Sequence, residues 1–163
     1  MGFDYQYEDM EAMDTKTLSE IVENIWSLGF EETATALQIL KHRIPLKALE
    51  YGIDILLNDK GDDYLQAIAW DYFFWDNKEK ILEAVSKRKA KIGKALLNDI
   101  VDDLIRANSL VEVSNEMINR ISETYDSFSE EEKSFMKSFM RCDINGFLNI
   151  YKKKAIVQRI DLR

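Results

Sequence analysis

The chain has 163 residues, of which 46% are hydrophobic and 32% charged, with a formal net charge of −8. That balance excludes a disordered chain, and the acidic excess weighs against nucleic acid and toward basic protein surfaces. A single cysteine excludes an internal disulfide, and one proline with six glycines leaves little room for turns, so helices are expected to dominate.

The first 32 residues carry nine acids against one base, Lys16, while the rest of the chain is balanced. Residues 1–13 are acidic with Phe3, Tyr5 and Tyr7 among them, and read as a flexible arm or a short packed segment. They lack the basic and apolar regions of a signal peptide, and Gln6 stands where a myristoylation motif requires Ser or Thr. No apolar run approaches the roughly 20 residues of a membrane span. The expectation is a cytoplasmic protein that touches no membrane, built as one helical domain over 1–163.

Thr17-Leu-Ser-Glu20 has capping-box spacing. Behind it Leu18, Ile21, Val22, Ile25 and Trp26 share one helical face. Gly29 reads as a helix end, and a second helix is expected from about Glu31 to Arg43 with Ala36, Leu37 and Leu40 inward. Pro45 opens a third at its first turn, burying Leu49, Ile53, Leu56 and Leu57. Gly61 closes the next turn, and Asp62 or Asp63 caps a fourth helix presenting Leu65, Ile68, Ala69, Tyr72 and Phe73. Asp76 or Asn77 caps a fifth, with Ile81, Leu82 and Val85.

A basic connection, residues 87–94, leads to a helix carrying Leu97, Ile100, Val101, Leu104 and Ile105. Ser109-Leu-Val-Glu112 and Ser129-Glu-Glu-Glu132 are further capping boxes. The first is expected to open a helix with Met117, Ile118, Ile121 and Tyr125. The second opens one with Phe135, Met136, Phe139 and Met140. A last helix from about Asp143 carries Phe147, Leu148, Tyr151 and Ile156. Eight or nine helices and no period-2 alternation make the expected class all-α. Its architecture is stacked antiparallel helix hairpins, an α-solenoid.

Residues able to carry chemistry are few. His42 is the only histidine, between Lys41 and Arg43 near a helix end, where positive charge suits the dipole. Cys142 has no histidine to activate it. Asn58-Asp-Lys-Gly-Asp-Asp63 lacks the acid spacing and closing Glu of a calcium loop and reads as a turn with a cap. Asp99, Asp102 and Asp103 lie a helical turn apart with no partner helix to complete a metal site. No phosphate loop or nucleophile elbow occurs. The expectation is therefore no catalytic residue, no cofactor and no metal: a binding protein and not an enzyme.

The aromatic run Trp70, Tyr72, Phe73, Phe74 and Trp75 cannot face one core, because consecutive residues step about 100° around a helix. Tyr72 and Phe73 go with the fourth helix's core. Trp70, Phe74 and Trp75 point elsewhere, against a neighbouring repeat or outward as anchors of the kind that dominate binding hot spots. The segment Lys87, Arg88, Lys89, Lys91, Lys94 has no interleaved aromatics and reads as a solvated junction, with phosphate contact the alternative. The expected partner surface combines Glu31 and Glu32, Asp59, Asp62 and Asp63 of the turn, and Trp70 and Trp75. The partner it suits is a basic protein.

The paired helices, the Leu65-Gln-Ala-Ile-Ala69 core and the cap that follows resemble HEAT-like repeats over residues 31–106. A small acidic helical protein with such repeats also looks like a bacterial immunity protein, encoded beside a polymorphic or contact-dependent growth-inhibition toxin. What that resemblance implies is an inhibitor that masks the toxin's catalytic domain, often a nuclease with a basic groove. Two readings from other classes stand beside it: a helical-repeat adaptor and a small metal-dependent helical enzyme. The sequence sets no oligomeric state.

Overall fold

The computed structural model describes residues 7–25 and 29–161, and from 153 onward the helix path only. Among the described residues are ten α-helices, one 3-10 turn and no strand. The chain divides into two compact units, Met1–Ala90 and Lys91–Arg163, parting inside the basic connection.

The first unit holds α1 (Tyr7–Glu11), α2 (Thr15–Glu23), α3 (Phe30–Arg43), α4 (Pro45–Leu57), α5 (Asp63–Phe73) and α6 (Lys78–Lys87). From α2 onward each helix packs on the next, and α3 also packs on α5 and α4 on α6. This is the contact pattern of stacked hairpins, with α3 and α5 in one layer and α4 and α6 in the other. Between them lie the buried side chains of Leu37, Leu40, Leu56, Leu65, Trp70, Phe73, Phe74, Ile81 and Val85.

Within the acidic N-terminal stretch, residues 7–13 are a packed segment. Met10 is wholly buried, and the Arg43 guanidinium donates to the carbonyls of Glu11 and Met13. Residues 1–6 and Trp26 lie outside the described residues. The cap of α2 is not Thr17 but Asp14, whose carboxylate accepts from the Thr17 N–H at 2.7 Å. The hydrogen bonds from Thr17 hold the Asp14 carboxyl below its usual range. Pro45 opens α4 as expected. Asn77 precedes α6, but its side chain donates to the Phe73 carbonyl at 3.3 Å and makes no cap bond.

Gly52 lets α4 and α5 approach. A Cβ there would lie 2.5 Å from a carbon of the buried Phe73 ring. Gly52→Ala is expected to lower stability by about 1–3 kcal/mol through overpacking. A urea midpoint unchanged from the parent would contradict it.

The second unit holds α7 (Lys94–Ala107), a 3-10 turn (Asn108–Leu110), α8 (Asn115–Ser127), α9 (Glu130–Ser138) and α10 (Ile144–Asp161). Helices α7, α8 and α10 pack on one another around Leu97, Ile100, Leu104, Ile121, Phe147 and Tyr151. The buried Tyr151 hydroxyl donates to the Leu104 carbonyl, meeting the need of a phenol out of water. The Ser109 box is not used: that serine lies in the 3-10 turn, and Ser114 caps α8 by accepting from the Met117 N–H. Ser129 caps α9 as expected. Phe135 and Phe139, expected inward, are exposed, and Met136 alone of α9 is buried. The side chain of Ile156 lies outside the described residues. Among the described residues no helix is long and apolar enough to cross a membrane.

Candidate protein-interaction surface

The acids singled out in the sequence are separated by some thirty positions, and stacking of α3 on α5 brings their helix starts together. An aromatic pair joins them. Phe30 opens α3 and Tyr64 is the second residue of α5; their ring centroids are 6.0 Å apart at 29°. Both rings face solvent, Phe30 at 38% exposure and Tyr64 at 64%. Glu31 and Glu32 follow the first ring in sequence, and Asp62 and Asp63 precede the second. All four carboxylates sit at the start of a helix, where the dipole favours negative charge. Glu31 and Asp62 are exposed, Glu32 and Asp63 half-buried.

The turn between α4 and α5 has a rigid interior. Asp59 adopts the left-handed conformation, with φ 54°, and its carboxylate accepts from Gln66 Nε2 at 2.9 Å and Arg88 at 3.0 Å. The Arg88 side chain is wholly buried. Its guanidinium also donates to the Leu56 carbonyl at 2.9 Å, Gln66 Oε1 at 3.0 Å and the Ala90 carbonyl at 3.1 Å. Asp59 is therefore matched by an internal cation and drops out of the steering set. Lys60, the one base of the turn, pairs with Asp54. Burial pushes the Asp54 carboxyl up, and hydrogen bonds from Lys60 and Asn58 more than offset that, leaving it below its usual range. Asp62 accepts from the Leu65 N–H at 2.8 Å as the cap of α5 and is exposed.

The tryptophans divide. Trp70 is wholly buried and stacks on Phe74 at 4.4 Å and 12°, so it belongs to the core and is removed as an anchor. Trp75 is 39% exposed, edge-on to Phe74 at 5.3 Å. It follows α5, at the opposite end of that helix from Tyr64, about 16 Å away along an eleven-residue rise. The Lys78 ammonium lies 5.2 Å over its ring, so a cation already covers one face of it. Phe30 and Tyr64 are the exposed aromatic pair that sequence reasoning passed over. The usable signal was an aromatic in the first turn of each of two helices, next to carboxylates and off the apolar stripe.

The remaining candidates lie elsewhere. Of the basic connection, Arg88 is interior, Lys87 pairs with Glu83 and Lys94 with Glu132, which argues against a phosphate track. His42 is exposed in the last turn of α3. Burial pushes the Cys142 thiol up to about 11, so it stays protonated at neutral pH and is a poor nucleophile. Among the described residues no group of three or more His, Cys, Asp and Glu is placed to hold a metal ion.

No family model matches the chain, and neither does any curated protein or solved structure.

Proposed function

We propose that this is an immunity protein, which binds a cognate toxin domain with a basic groove, a nuclease by the chemistry of the match, and masks its active site. The observation that carries the reading is the exposed Phe30–Tyr64 stack flanked by Glu31 and Asp62 at the starts of α3 and α5. Carboxylates there steer a basic surface and compete with nucleic acid for it. Aromatic rings beside them supply the apolar contact that slows dissociation. One edge thus provides both halves of a tight, fast inhibitor.

The test is binding kinetics against the product of the toxin reading frame beside the gene, together with protection of cells. Glu31→Lys with Asp62→Asn, which removes the charge but keeps the cap, is expected to slow association roughly three- to ten-fold at low salt. The difference should shrink as the Debye length falls to about 8 Å near 0.15 M. Phe30→Ala with Tyr64→Ala is expected to speed dissociation by about 30-fold or more, the effect of losing a hot spot of roughly 2 kcal/mol. Absence of both complex and protection would overturn the proposal. Parental kinetics in folded variants would show that the edge is wrong.

A further inference from the structure

Independently of that reading, the second unit carries an exposed apolar surface of its own. Only Met136 of the nine residues of α9 is buried. Phe135 is 51% exposed and Phe139 77%, their rings stacked 5.2 Å apart at 25°. Two neighbouring phenylalanines in water mark an interaction site more often than isolated ones do.

The charges around them decide which partner fits. Glu130, Glu131 and Glu132 fill the first turn of α9, Lys137 lies in the last, and Arg141 follows it. Glu130 pairs with Lys133, itself 5.6 Å over the Tyr125 ring, and Glu132 pairs with Lys94. Glu131, Lys137 and Arg141 are exposed. A uniformly basic or acidic partner would meet attraction at one end of this helix and repulsion at the other. A second copy of the helix, laid antiparallel, meets opposite charge at both ends, and the two helix dipoles oppose favourably.

We propose that α9 is the contact of a weak homodimer, two copies of the chain pairing this helix antiparallel about a two-fold axis beside Phe135. Such a contact is isologous: the same patch serves both copies. The Phe135 rings meet at the axis and each Phe139 packs beyond them. Glu131 of one copy comes next to Arg141 of the other. Two rings a side are little beside the roughly 1,200 Å² of a stable interface, so the dissociation constant is expected on the order of 100 micromolar.

Sedimentation equilibrium of the full chain from micromolar to millimolar concentration tests this. The weight-average mass is expected to rise from one chain toward two. F135S/F139S should remain monomeric throughout with parental circular dichroism. Glu131→Arg alone and Arg141→Glu alone should each weaken association about ten-fold, and the two together should restore it. A monomer at every concentration overturns the proposal, as do dimers that survive the phenylalanine changes. Failure of the paired reversal to recover what the single reversals lose overturns the antiparallel arrangement.

Discussion

Arg88→Ala is expected to lower unfolding free energy by about 3–5 kcal/mol, the cost of breaking a buried charged network from one side. The loss is read as a fall in the urea midpoint of the helical signal. Asp59 is half exposed, so its ion pair is screened and supplies the smaller part. The larger part comes from the Leu56 carbonyl and Gln66 Oε1, which the guanidinium serves. Without it each buried acceptor incurs a desolvation penalty of about 1–3 kcal/mol. Lysine should not rescue the variant, because its single ammonium cannot span acceptors that a planar fork reaches together. Asp59→Asn should cost about 1 kcal/mol or less, as a half-exposed pair does. A loss below about 1 kcal/mol for Arg88→Ala would show that the unit holds its turn by other means.

Trp70→Ala is expected to cost about 3–5 kcal/mol, the range for a large aromatic removed from a packed core. Its ring is inaccessible and stacked on Phe74, so truncation leaves a cavity between the layers of the first unit and one face of Phe74 uncovered. Trp75→Ala, with its ring partly in solvent, should cost about 1 kcal/mol. The pair of variants separates core from surface in one experiment. A Trp70→Ala protein of parental stability would refute the assignment.

The all-α class and most helix positions were legible because the apolar stripes recur at helical spacing and the chain is nearly free of proline. Less was legible where two patterns competed. In an acidic chain the capping-box spacing recurs by composition, so Thr17 and Ser109 matched it while Asp14 and Ser114 took the N–H groups. Around α9, Phe135-Met136 within the helix and Phe139-Met140 just beyond it offer two faces about a hundred degrees apart, and nine helical residues are too few to choose between them. The aromatic run of α5 misled because that helix packs on α3, α4 and α6, so more than one face is interior and Trp70 needs no outside partner. Nothing in Lys-Arg-Lys-Ala-Lys distinguishes Arg88, since apart from the Ala90 carbonyl its acceptors, on Leu56, Asp59 and Gln66, lie 22 to 32 positions away in the chain. The acid–aromatic edge is likewise a product of stacking: Glu31 and Asp62 were each visible, and the rings that join them were not.

The buried arginine also bears on time. Neighbouring helices of the first unit meet through short loops, which close quickly and at low entropic cost. The guanidinium must instead shed its water and find acceptors at both ends of the α4–α5 turn after those helices have docked. A contact completed that late is expected to be largely absent from the folding transition state. Interactions of this kind act on the escape rate of the native state and leave its rate of formation nearly untouched. The Arg88 clamp is thus expected to act as a latch: without it the first unit should form at much the same speed and stay formed for less time.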